Sequence, residues 1–162
     1  MHSIFWFRRD LRLHDNHGLY QALTQPEPVL PIFIFDKDIL EGLKEKADKR
    51  VAFIHHALTG IQETLQTEGS SLRIFHDTPL QAFEKLTKEF DITAVYTNHD
   101  YEPYAIARDR AIGEFLASKS IPFHTFKDQV VFEKAEVVKG DGSPSTIFTP
   151  FSKIWKEKYL AD

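Results

Sequence analysis

The run Ile4-Phe5-Trp6-Phe7-Arg8-Arg9-Asp10-Leu11-Arg12-Leu13-His14-Asp15-Asn16 passes from an apolar strand to a charged turn to a helix cap. Ile4 to Phe7 has the composition of a buried strand. Arg8, Arg9, Asp10 and Arg12 form the turn, and Asp15 and Asn16 stand where a helix begins. Strand, charged turn and capped helix are how a parallel α/β domain opens a ligand crevice. The turn is arginine-rich where dinucleotide-binding turns are glycine-rich.

Working outward, the same pattern repeats. Apolar, β-rich runs lie at Val29–Phe35, Leu72–Phe75, Ala94–Thr97 and Pro122–Phe126. They are short and nearly continuous, as expected of strands buried on both faces. Helix-period segments separate them. Val51, Ile54, Leu58, Ile61 and Leu65 recur at helical spacing, with Gly69 as a stop. Thr78 caps the next helix, Pro79 takes its first position, and Gln81 completes a capping box. Leu80, Phe83, Leu86 and Phe90 are expected to form its buried stripe. Pro103 opens a further helix that ends within Ser118–Ser120. Five strands alternating with helices predict an α/β fold: a Rossmann-like three-layer domain with a five-stranded parallel sheet flanked by helices and joined by right-handed crossovers.

After Phe126 the character changes. Val130–Phe132 and Glu136–Val138 read as short β pieces around the turn Gly140-Asp141-Gly142-Ser143-Pro144. Thr149-Pro150 is expected to cap a final helix bearing Phe151, Ile154 and Trp155. We therefore divide the chain into an α/β domain, residues 1–130, and a turn-and-helix segment, residues 131–162. A chain that ends at Asp162, on a helix that has just begun to bury a Trp, reads as the start of a connection to a further domain.

Composition narrows the function classes. The 162 residues suit one domain, large enough to fold without disulfide or metal staples. Cys is absent, which suits a reducing cytoplasm and excludes thiolate metal sites. Met-His-Ser-Ile does not open a signal peptide, because Arg8 and Arg9 cut the apolar run short. No apolar stretch approaches the ~18 residues of a membrane helix. The formal charge of −4, with both signs well mixed, argues against a phosphate-gripping surface in these residues. Most of the fourteen Phe are expected in the core, leaving some to line a pocket for a flat ligand. His55 and His56 point to different helix sides, and nothing resembles a chelating motif, a P-loop, a nucleophile elbow or a Gly-x-Gly-x-x-Gly turn. No metal and no catalytic residue are predicted.

In such a sheet, ligands sit beyond the carboxyl ends of the strands. Arg8, Arg9 and Asp10 follow the first strand, Phe35 and Asp36 end the second, and Asn98, Asp100, Tyr101 and Glu102 follow the fourth. Arg50 starts the long helix beside them. Ile34, Phe35 or Phe53 would supply apolar walls for a flat ligand, while Arg50 and Asp100 offer a donor fork and an acceptor. A purely structural reading stands beside this one. Arg8, Asp10, Arg12 and Asp15 suit ion pairs within the first turn, Tyr101 suits packing, and Glu102 suits the positive end of the helix that Pro103 opens.

Trp6-Phe7-Arg8-Arg9-Asp10-Leu11-Arg12-Leu13-His14-Asp15-Asn16 closely resembles the opening of photolyases and cryptochromes, the blue-light flavoproteins. Pro31–Asp36, Arg50–Ile54, Asn98–Tyr104 with Arg108-Asp109, and Phe148–Phe151 with Trp155 extend the resemblance over nearly the whole chain. The family combines an N-terminal α/β domain, a connector, and a helical domain that holds FAD and the lesion pocket. The resemblance implies that this chain is the N-terminal part of a deoxyribodipyrimidine photo-lyase. Reduced FAD, in a helical domain absent from these residues, would then split pyrimidine dimers in UV-damaged DNA. The 162 residues alone are expected to be inactive, cytoplasmic and monomeric.

The part present is the one that holds an antenna chromophore in many relatives. By resemblance, Arg50 and Asp100 lie by a deazaflavin or flavin antenna, and the implied binding set is Arg8, Arg9, Asp10, Ile34, Phe35, Arg50, Asp100, Tyr101 and Glu102. Folate-binding relatives carry Asn-Glu where this chain has Tyr104 and Ala105, which disfavours folate; an empty crevice is the alternative. Relatives often carry Tyr at the position of Ser145. The rival readings are the same domain of a cryptochrome photoreceptor and a free-standing flavin- or nucleotide-binding module.

Overall fold

A computed structural model describes residues 1–43, 45 and 48–161. The backbone packs as two compact units, Met1–Asp128 and Gln129–Asp162. Asp162 itself lies outside the described residues.

The first unit alternates strands and helices from its first residues: β1 (His2–Phe7), α1 (His17–Leu23), β2 (Val29–Asp36), α2 (Lys37–Glu41), α3 (Lys49–Thr67), β3 (Arg73–Asp77), α4 (Pro79–Glu89), β4 (Ile92–Asn98), α5 (Pro103–Ser118) and β5 (Phe123–Phe126). All neighbouring strands pair in parallel, in the order β3-β2-β1-β4-β5. The period-2 alternation of the strands sorts their side chains onto two faces. Ile4, Trp6, Ile32 and Ile34 pack with Ala82, Phe83 and Leu86 of α4 and with Ile112 and Leu116 of α5. Phe5, Phe7 and Phe33 pack with Leu19 and Ala22 of α1 and with Leu58 and Ile61 of α3. Three layers therefore follow from one alternating pattern, with β1 almost wholly buried at the centre.

The helix punctuation works as its chemistry requires. Asn16 caps α1 by accepting from Leu19 N, after Asp15 turns the chain through a left-handed φ of +49°. Thr78 and Gln81 form the reciprocal capping box of α4, with Pro79 in its first turn. At the end of α3, Gly69 takes φ +73° and donates to Gln66 O, while Ser70 donates to Leu65 O. This is the Schellman arrangement, in which only Gly takes the left-handed position without a Cβ penalty.

Several expectations are corrected. Strands β3 and β5 are not buried on both faces; they are the sheet edges, and Ile74 is 48% exposed. Leu80 lies outside the stripe of α4, which runs through Pro79, Ala82, Phe83 and Leu86. That set has the spacing i, i+3, i+4, i+7, and Leu80 sits one residue, about 100° of helix, off it. The five-residue helix α2 is too short to give a periodic signal in sequence.

In the second unit, Val130–Phe132 and Glu136–Val138 do not form strands. A 3-10 turn, Lys134–Glu136, takes up the local donors: Glu133 N donates to the Glu136 side chain at 2.6 Å, and Glu136 N to Glu133 O at 2.9 Å. Side-chain capping of this kind competes directly with strand pairing. The last helix, α6 (Phe148–Ala161), begins one residue before Thr149, so Thr149-Pro150 lie within its first turn and do not precede it. Pro is tolerated there because the first N–H groups of a helix have no partner within it. Trp155 of α6 stacks on Tyr159 and meets Phe132 edge-on. No helix among the described residues is long and apolar enough to cross a membrane.

Candidate functional site

The chain builds β1, β2 and β3 on one side of the sheet, then crosses to β4 on the other side of β1. Beside such a switch, at the carboxyl ends of the strands, is where open α/β sheets hold their ligands.

Its base is a buried polar network. Asn98, at the end of β4, donates through Nδ2 to Asp10 Oδ2 at 2.5 Å and to Asn16 Oδ1 at 2.8 Å. Its Oδ1 accepts from Gly18 N at 2.8 Å. Asp10 Oδ1 accepts from Arg8 N at 2.9 Å. The β1 turn, the start of α1 and the end of β4 are thereby joined through three buried side chains. Gly18 is confined by this network: a Cβ there would meet Asn98 Oδ1 at 2.6 Å and Phe5 Cε2 at 3.1 Å. Gly18→Ala should therefore destabilise the unit by about 1–3 kcal/mol, the usual cost of overpacking, read from urea denaturation. An unchanged midpoint would mean that α1 shifts freely against β4.

Above this base, Arg8 is buried along the ring of Trp6, its guanidinium 5.1 Å from the ring centroid. It donates to Asp109 Oδ1 at 2.5 Å and to the carbonyl of Asn98. Burial pulls its pKa below the usual value, and Asp109 opposes that pull. Arg9 stays exposed and donates to Glu102 Oε1 at 2.7 Å and Asp100 Oδ1 at 3.4 Å, tying the β1 and β4 loops together. Arg12 pairs with Asp128 at 2.8 Å and bonds the carbonyl of Asp15.

A cavity of about 340 Å³ lies over the ends of β1 and β2. Phe33, Ile34, Phe35, Val51 and Ile54 form apolar walls, and Ile39, Leu40 and Leu43 add a further apolar side. Arg8, Arg9, Arg50, Arg108, Asp36, Asp100 and Glu102 supply the polar positions. The expected residues Arg8, Arg9, Ile34, Phe35, Arg50, Asp100 and Glu102 thus converge on one space. Asp10 does not reach it, because the Asn98 network holds it below. Tyr101 does not reach it either, and packs edge-on to His99. Phe53 is 72% exposed and lines a separate shallow recess.

The geometry refines two expected roles. The Arg50 fork is closed on Asp48, the cap of α3, with Nε at 3.0 Å from Oδ1 and Nη2 at 2.6 Å from Oδ2. Arg50 holds the Asp48 carboxyl well below the usual range, at about 2. Asp100 is the reverse case. Its side chain is 9% exposed, yet its contacts to Arg9 Nη1 and Glu102 N are both 3.4 Å, the outer limit of hydrogen bonding. Glu102 stands at the cap of α5 without a side-chain cap bond, its carboxylate turned to Arg9. Tyr104 donates to Asp36 Oδ2 at 2.7 Å; burial and Asp36 push the phenol pKa up, so it stays a donor.

Sequence reasoning did not assign Trp6, the α2 side or Arg108 to the site. Leu40 and Leu43, an i,i+3 apolar pair after a strand, and Arg108, five residues into a Pro-opened helix, were the available signals. Among the described residues, the cavity joins apolar walls to charged side chains without a nucleophile–base pair. Apolar walls with a few charged groups at the rim are what holding and orienting a flat, polar-edged ligand requires.

The DNA photolyase family matches residues 3–162. The chain is 36% identical over 163 residues to a deoxyribodipyrimidine photo-lyase of Alkalihalophilus pseudofirmus, an alignment covering 94% of this chain and 32% of the relative. A bacterial class III photolyase from Agrobacterium tumefaciens superposes with a TM-score of 0.85 at 27% identity, over 95% of this chain and 31% of that one. The archaeal photolyase from Sulfolobus tokodaii with two FAD molecules superposes with a TM-score of 0.77 at 29% identity, over 97% and 34%. The chain spans about a third of the length of each of these proteins. Fold, opening motif and a match running over residues 3–162 agree: the chain belongs to the DNA photolyase family.

Proposed function

We propose that this chain is the N-terminal, antenna-binding α/β domain of a light-dependent deoxyribodipyrimidine photo-lyase. Residues 1–130 form the domain, and residues 131–162 lead toward a connector and a helical domain that binds FAD and UV-damaged DNA. The observation that carries this reading is the apolar-walled cavity over the ends of β1 and β2, set in a photolyase-family domain. In the whole protein, the reduced FAD would donate an electron to the pyrimidine dimer. These 162 residues would hold the light-harvesting chromophore, exclude water from it, and orient its polar edge. They would not repair DNA by themselves, and they would act as a monomer in the cytoplasm without a metal.

A flavin or deazaflavin suits the cavity better than a folate. Phe35, Ile34 and Val51 offer flat apolar walls, and Asp100 offers a buried acceptor without a short partner. Tyr104 is engaged with Asp36 where folate-binding relatives place an amide. The Sulfolobus tokodaii relative, whose two FAD molecules are taken to imply a novel light-harvesting cofactor, is consistent with a flavin in this role.

Titration of the chain with riboflavin, FMN and methenyltetrahydrofolate tests the proposal. Saturable quenching of flavin fluorescence at micromolar concentrations, with weaker folate binding, is expected. Failure to bind any of the three would remove the antenna assignment and leave the domain a scaffold.

A further inference from the structure

We infer that Arg108 anchors an oxygen acceptor of the bound chromophore, as the donor counterpart of Asp100. The inference rests on the antenna reading of the cavity and names the group that the cavity selects.

Arg108 projects from α5 to the cavity, and its side chain is 9% exposed. Its Nε donates to Asp109 Oδ1 at 3.1 Å. Its Nη2 lies 3.1 Å from that same oxygen but is not aligned to donate to it. Among the described residues, Nη2 is buried without a hydrogen-bond partner. Buried polar groups are satisfied in the great majority of cases, and an exception at a cavity wall points to a missing ligand atom.

Charge arithmetic leads the same way. Arg8 also takes Asp109 Oδ1, at 2.5 Å, so two buried guanidinium groups share one carboxylate oxygen. Both lie against the Trp6 ring, at 5.1 and 5.0 Å from its centroid. Burial is the main cause of the lowered Arg8 pKa, and the neighbouring Arg108 charge adds to it. None of the other acids lining the cavity pairs with Arg108: Asp36 is engaged by Tyr104, Glu102 by Arg9, and Asp100 reaches Arg9 at 3.4 Å. A local excess of buried positive charge, with one N–H group unspent, fits an oxygen carrying partial or full negative charge. A ring carbonyl of a flavin and the phosphate of FMN both present such an oxygen.

The test titrates the wild-type chain, R108Q and R108K with riboflavin and with FMN, following fluorescence, with circular dichroism as the check on folding. R108Q is expected to bind at least tenfold more weakly, and R108K to fall between. Equal losses for the two ligands assign the acceptor to the ring, and a loss confined to FMN assigns it to the phosphate. A shift of the bound flavin's absorption band in R108K is also expected, which mere loss of packing would not produce. Should R108Q fail to fold, R108K carries the test alone. Affinities of either folded variant within twofold of wild type for both ligands, with the band unmoved, overturn the inference while the cavity assignment stands. A wild-type chain that binds neither flavin overturns both.

Discussion

Asn98→Ala is expected to cost the α/β unit about 3 kcal/mol of stability, a fall in Tm of roughly 6–12 °C for a chain of this size. Asn98 is 3% exposed and serves three partners at once. Without its amide, the Asp10 carboxylate loses its 2.5 Å donor, Gly18 N loses its acceptor, and Asn16 Oδ1 loses a donor. Each buried group left unpaired costs about 1–3 kcal/mol, and the charged one lies at the upper end. Asn98→Asp sharpens the test. It restores the acceptor for Gly18 but sets a second carboxylate against Asp10, so the variant should be weak at neutral pH and recover as the pH falls and one carboxyl gains a proton. Urea denaturation followed by far-UV circular dichroism measures both. A loss below about 1 kcal/mol in Asn98→Ala would mean that water replaces the amide, and that the network does not join β1 to β4.

The same residues show what was legible in advance. Local chemistry carried the architecture. The apolar run before Arg8, Asn16 at the start of α1, Thr78-Pro79 with Gln81, and Gly69 after α3 each mark an element boundary by a mechanism that needs no tertiary information. Expectations failed where a partner decides. Val130–Phe132 has strand composition, but a strand exists only when another strand takes its backbone groups, and Glu133 and Glu136 satisfy theirs locally. Leu80 is apolar enough for the core and lies about 100° of helix from it. The site divides in the same way. Topology alone brings the ends of β1, β2 and β4 together, so most of the lining could be named. Sequence does not reveal that Arg50 closes on a neighbour two residues away, or that Asp10 turns under the sheet end toward Asn98.

That division sets the second large effect. Asp100→Ala is expected to weaken flavin binding by roughly ten- to a hundredfold, as loss of a charge-assisted bond predicts, while leaving Tm nearly unchanged. The two halves of this expectation have one cause. The Asp100 carboxylate is nearly buried but holds only 3.4 Å contacts, so it contributes little to the apo fold and keeps its acceptor capacity for a ligand N–H. Asp100→Asn keeps the shape but removes the charge, and should recover only part of the affinity. Arg50→Ala should do much less. The Arg50 side chain is 75% exposed and its fork is already closed on Asp48, so a ligand that used it would first have to displace that carboxylate. Fluorescence titration of the three variants orders these contributions. If Arg50→Ala lost more affinity than Asp100→Ala, the ligand's polar edge would face α3, the Asp48 pair would open on binding, and the walls would be read in the opposite orientation.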